Sequence, residues 1–198
     1  MPSSSKIPHM KEVIWDISGK PRWNWEKSGG IYVYGLSGVS KKDIENAINL
    51  AKEALEELGL PLVVMSGNKH RKGDLPIIEK LLRESLREGG CIDYDLFKDK
   101  IYELKEEEDK LPYGIIILVD DYYEFCHKPN EREQPVYGYG TCDGIAIIRK
   151  SYIPTVTKHE IGHIVGLNHH NNCVMSYVPS SKHFCEKCKE KIKEIWEL

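Results

Sequence analysis

His159-Glu160-Ile161-Gly162-His163-Ile164-Val165-Gly166-Leu167-Asn168-His169 concentrates three imidazoles and a carboxylate in eleven residues. On a helix His159 and His163 are i and i+4, so both rings project from one face and can share a metal. Glu160 sits beside the first ring, close enough to act on a metal-bound water without itself being a ligand. Gly166 can leave the helix through a left-handed conformation that side chains disfavour, and the turn lets His169 return as a third ligand. Three nitrogens around zinc leave a fourth position open, which is the arrangement of a catalytic site. A bare H-E-x-x-H also occurs by chance on surface helices. Requiring Gly166 and His169 as well cuts chance matches by roughly several hundredfold.

A second group follows immediately. His170-x-x-Cys173 and Cys185-x-x-Cys188 are two knuckles with zinc-ligand spacing, separated by eleven residues. Four soft ligands with no open position describe a closed, structural tetrahedral zinc. The alternatives are a disulfide, free thiols or a C-x-x-C redox pair. A redox pair leaves the matching H-x-x-C unexplained. Two zinc ions per chain are therefore expected, one catalytic and one structural.

The segment His159 to Cys188 resembles the archaemetzincins, which join the extended zinc motif to a cysteine-rich structural zinc and a Met-turn. Met175, in Cys173-Val174-Met175, matches the Met-turn methionine. The motif-bearing resemblance covers about the last forty residues, with a weaker likeness from Val136 to Thr157. The chain departs from the family in carrying His170 where the family has cysteine, and in a shorter spacing to Cys173. Either His170 or His183 can complete the structural site, since histidine is a competent zinc ligand.

The resemblance implies an α+β, zincin-like metzincin fold. It consists of a mixed, mostly parallel sheet with an antiparallel edge strand, packed helices, and a small C-terminal subdomain holding the Met-turn and the structural zinc. One catalytic domain is expected over residues 1–198, divided into an N-terminal arm (1–30), the sheet and active-site helix (31–166) and the zinc-knuckle subdomain (167–198). The edge strand of such enzymes pairs with extended peptide by strand addition; the candidates here are Tyr137, Gly138, Tyr139 and Gly140. Tyr177, two residues after Met175, matches a position where some other metzincins direct a tyrosine at the zinc or the developing oxyanion. The implied activity is zinc-dependent hydrolysis of peptide bonds with Glu160 as general base. The rival is a zinc-loaded peptide-binding module with little turnover, and Glu160 argues against it because a binding site needs no base.

The rest of the chain sets bounds. At 198 residues it suits one domain, with 40% hydrophobic and 30% charged residues and a formal net charge of −3. That charge gives no electrostatic footprint for nucleic acid, although Lys182, Lys187, Lys189, Lys191 and Lys193 cluster near the knuckle. No apolar run is long enough to span a bilayer, and the start Met1-Pro2-Ser3-Ser4-Ser5-Lys6 lacks a secretory apolar stretch. A cytoplasmic monomer acting on peptide or protein is expected, with neither nucleic acid nor membrane as partner. Cys91, Cys126 and Cys142, an odd number, suit reduced thiols better than a disulfide framework, with a Cys126–Cys142 pair as the alternative.

Periodicity supplies the elements. Strands are predicted at Ile31–Leu36, Leu60–Met65, Gly114–Val119, Tyr137–Cys142 and Gly144–Arg149. Ser40, with Asp43, caps a helix whose stripe is Ile44, Ala47, Ile48, Ala51, Leu55 and Leu58, ended by Gly59. A second helix runs from Asp74, with Ile78, Leu81, Leu82 and Leu86 inward, to Gly89-Gly90. Glu103 to Lys110 reads as a solvated surface, and Asp121 to Pro135, with Cys126 and His127, as a long loop. The metal-binding helix is predicted to begin at Thr155 or Thr157, with Ile161 and Val165 turned to the core, and a closing helix to span Glu186–Leu198.

Overall fold

A computed structural model of the chain describes residues 23, 25–28, 30–126, 138–169, 172–176 and 181–196. In order these form α1 (Trp25–Ser28), β1 (Gly30–Gly35), α2 (Lys41–Glu57), β2 (Val63–Ser66), α3 (Gly67–His70), α4 (Asp74–Glu84) and α5 (Tyr94–Tyr102), which runs on into a π-turn (Glu103–Glu107). Then come β3 (Gly114–Val119), β4 (Gly138–Thr141), β5 (Ile145–Arg149), a 3-10 turn (Lys150–Tyr152), α6 (Ile153–Ile164) and α7 (Glu186–Trp196).

The strands lie in the order β2-β1-β3-β5-β4. Four run parallel, and β4 joins β5 antiparallel at the edge. The fold is thus α+β on a mostly parallel sheet, as the sequence predicts. Every residue of β3 is buried because both faces of the sheet are covered, so its run of Ile and Val need not alternate with polar residues. One face, with Val33, Ile116, Leu118, Ala146 and Ile148, packs on α2, α6 and α7. The other, with Tyr34, Ile115, Ile117 and Ile147, packs on α4 and α5.

The helix starts follow local chemistry. Ser40 and Asp43 form the predicted capping box, each side chain accepting from the other residue's backbone N–H. Helix α6 begins earlier than predicted, at Ile153, with Pro154 in its first turn, where proline costs no hydrogen bond. Helix α4 is shorter than predicted. It stops at Glu84, and Leu86 pairs with Ile92 in an isolated bridge around Gly89 and Gly90, both at positive φ. Leu86 therefore packs on the core from a turn rather than from the helix.

Two further expectations are corrected. Glu103–Lys110 is not wholly solvated: Lys105 is fully buried, and its ammonium meets the Glu106 carboxylate. Cys91 and Cys126 are not reduced thiols but form a disulfide. Cys126 N–H donates to Ile92 O and Ile92 N–H to Glu124 O, and this short parallel bridge places the two Cα atoms 5.5 Å apart. Cys142, the alternative partner of Cys126, is buried and in no disulfide. Among the described residues no helix is long and apolar enough to cross a membrane.

Candidate metal centres

Helix α6 carries His159, Glu160 and His163 on a buried face. It ends in a Schellman motif. Gly166, at φ 109°, lets Leu167 N–H donate to Gly162 O at 2.8 Å and Gly166 N–H to His163 O at 3.1 Å. Two more of its terminal carbonyls receive indole N–H groups, Ile164 O from Trp23 at 3.1 Å and Val165 O from Trp196 at 3.0 Å. The helix end is thus closed by tryptophans from opposite ends of the chain, and the turn it feeds is held in place.

That turn brings His169 back. The Nε2 atoms of His159, His163 and His169 lie 3.0–3.1 Å from one another. Nδ1–H of His159 donates to Val174 O at 2.8 Å, and Nδ1–H of His163 to Leu167 O at 2.9 Å. In the neutral rings the proton therefore sits on Nδ1, and both Nε2 lone pairs point into the cluster. One proton on His169 could satisfy one of those lone pairs, not both. A cation among the three satisfies all of them. Tetrahedral bonds of 2.0–2.1 Å to nitrogen place ligand atoms about 3.3 Å apart, close to the spacing found. Burial pushes the His159 pKa down to about 4, against the smaller opposing pull of Val174 O, which keeps the ring neutral and able to ligate.

Glu160 is buried. Its Oε1 is 3.8 Å from His159 Nε2, and its Oε2 has no hydrogen-bond partner. Burial raises its pKa well above the usual carboxylate range. The edge strand explains how a carboxylate fits here. A Cβ at Gly140 would lie 2.9 Å from Glu160 Oε2, and one at Gly138 would lie 3.2 Å from Glu160 Cγ. The glycines of β4 give this carboxylate its room. Of the other edge-strand candidates, Tyr139 pairs through its backbone with Ile147, and Tyr137 lies outside the described residues.

Beneath the helix, Met175 is fully buried against Gly162, where a Cβ would meet its Sδ at 2.3 Å and the Phe184 ring at 3.2 Å. Glycine between the two helical histidines therefore lets the methionine turn press on the backbone of α6.

The second cluster joins Cys173 to Cys185 and Cys188, the last in the first turn of α7. None of the three is in a disulfide, and the Sγ atoms of Cys173 and Cys188 are 3.7 Å apart. Bonds of about 2.3 Å from sulfur to a tetrahedral zinc separate the sulfurs by about 3.8 Å. Burial, with the charge of Cys173 behind it, pushes the Cys188 thiol up; at Cys185 the Cys188 amide and the neighbouring thiols outweigh burial and hold its pKa down. Three thiolates cannot share this space without a cation.

His183 does not join them. Its ring turns to Glu57, with Nδ1 3.4 Å from Oε1, so it does not complete the cysteine set. His170, the other candidate, and Tyr177 lie outside the described residues. Both clusters could hold metal ions. No protein-family model matches this chain, and no curated protein matches it.

The sequence reading missed the carbonyls of Val174 and Leu167, which carry no residue-type signal. It also missed Gly162 and the indoles of Trp23 and Trp196 as parts of the site.

Proposed function

We propose that the protein is a zinc-dependent metallopeptidase of archaemetzincin type in a metzincin-like fold, with zinc at both clusters and a peptide or protein as substrate. The observation that carries this reading is the convergence of three imidazole Nε2 atoms beside a buried carboxylate with an unpartnered oxygen. A purely structural metal site has no use for that carboxylate, which costs stability by its burial.

His159, His163 and His169 would hold the catalytic zinc; Cys173, Cys185 and Cys188, with His170 as the fourth ligand, would hold the structural one. Zinc in the first site supplies Lewis-acid polarisation of water and of the substrate carbonyl. Glu160 takes the proton from the attacking water and passes it to the leaving amine. Val174 O and Leu167 O hold the rings with Nε2 inward throughout. Strand β4, antiparallel at the sheet edge and pressed on Glu160, would take an extended peptide by strand addition. Tyr177 is the candidate donor to the oxyanion.

Elemental analysis should give two zinc ions per chain. Digestion of a peptide library, read by mass spectrometry with and without chelator, should show cleavage that Glu160→Gln removes. Zinc-loaded protein with no turnover on any peptide would overturn the reading in favour of a binding module.

A further inference from the structure

One ion pair outside both clusters ties them together. Glu57 is the last residue of α2, and both of its oxygens are engaged. Oε2 pairs with Lys158 Nζ at 3.0 Å, 101 residues away in sequence. Oε1 accepts from Phe184 N–H at 2.7 Å, 127 residues away. Lys158, buried on α6 beside His159, also donates to Lys182 O at 3.1 Å. The pair thus grips the segment 182–184 by two peptide groups, one carbonyl and one amide.

The second of these peptide groups, whose N–H Glu57 holds, continues the path through its carbonyl. His183 O accepts from Val174 N–H at 2.9 Å. Val174 O in turn accepts from His159 Nδ1–H at 2.8 Å, the contact that turns Nε2 into the histidine cluster. Phe184, held by Glu57, packs on Gly162 of α6 and is followed at once by Cys185 of the other cluster. Segment 182–184 therefore sets Val174 on one side and Cys185 on the other.

We propose that Glu57 and Lys158 are positioning residues that place the Val174 carbonyl on His159, and the Cys185 knuckle beneath α6, so that both metal clusters take their register from the end of α2. The inference rests on the metallopeptidase reading only for its effect on turnover. Its geometric claim concerns the His159 ring and can be tested in metal-free protein.

The test compares wild type with Glu57→Ala, Glu57→Gln and Lys158→Met, and with Glu53→Gln as control. Glu53 lies 3.8 Å from Lys158 but is exposed. Nitrogen-15 spectra of the histidine rings in metal-free protein at neutral pH should show His159 as the Nδ1–H tautomer in wild type and control. Glu57→Ala should show a mixture of tautomers. Transfer of zinc from the loaded protein to a competing chelator should quicken by about tenfold to a hundredfold in Glu57→Ala, the scale for a lost partner of a ligand. Lys158→Met and Glu57→Gln should move both readouts in the same direction by less, and they decide the matter if the alanine variant does not fold. Folded variants with the wild-type tautomer and zinc transfer within about twofold of wild type would overturn the proposal. Wild-type protein that takes up no zinc would instead overturn the metallopeptidase reading and leave the tautomer result standing.

Discussion

The histidine and cysteine clusters adjoin in sequence, yet their surroundings differ in kind. Around the histidines the contacts orient the rings, and a carboxylate oxygen is held buried without a partner among the described residues. Two rings are turned by backbone carbonyls, a glycine strand clears space, and Glu160 stands buried with a free oxygen. Around the cysteines the described contacts close on one another. The thiols face one another, Met175 N–H donates to Cys173 Sγ, and Ser176 bonds both the N–H and the carbonyl of Cys173. On the proposed reading, the costly buried carboxylate is the seat of the chemistry and the thiol set a fastening.

The largest effect that would test this contrast comes from chelation. A mild chelator should remove the metal at the histidines and abolish turnover while circular dichroism is unchanged and one zinc is retained. Unfolding in step with the loss of activity, or a single zinc per chain, would erase the distinction.

Next in size is Glu160→Gln. Turnover should fall by about a hundredfold to ten-thousandfold, the scale for a general base, with metal content unchanged. Wild-type turnover in that variant would remove Glu160 from the chemistry.

The same substitution in metal-free protein sharpens the contrast through stability. Glu160 has a raised pKa, so the folded state keeps its proton to higher pH than the unfolded chain does, and wild type loses stability as pH rises above 4.5. Glu160→Gln should therefore be the more stable protein at pH 7, with the gain vanishing as pH falls to 4.5. His159 acts in the opposite sense. Its pKa is lowered from 6.5 to about 4, so its contribution is lost as pH falls through that window. That loss amounts to about 3 kcal/mol, best read by denaturant titration in the Gln variant, where Glu160 no longer opposes it. Equal stability of the two proteins at pH 7 would mean that the carboxylate carries no burial cost.

The smallest effect is expected from Gly140→Ala. The added methyl would fall 2.9 Å from Glu160 Oε2 and 3.0 Å from the Glu160 carbonyl oxygen. Displacing the base should lower kcat by about tenfold with both metals retained, measured on any peptide that wild type cleaves. A variant with unchanged kcat would mean that the edge strand does not set the position of the carboxylate.

Much of this was legible in the sequence because it depends on neighbours along the chain. The i and i+4 histidines, the glycine exit at Gly166, the Ser40 capping box and the apolar run of β3 are local matters of helix and strand geometry. The antiparallel edge strand was also expected, through resemblance to a known family rather than through periodicity. Local pattern misled where a distant contact intervened. Leu86 continues the helical stripe of α4, but pairing with Ile92 draws it into a turn. Lys105 sits in a charged run, but burial claims it. An odd count of cysteines hid a Cys91–Cys126 bond set by a backbone bridge. By itself the sequence determined which residues could bind metal, because ligand type and short spacing are written in it. Which way each ring faces, what clears room for Glu160, and what ties Val174 to Glu57 were decided by the tertiary structure alone. Those contacts use carbonyls, amides and missing side chains brought together across the chain, and such groups are nearly the same at every position until the fold places them.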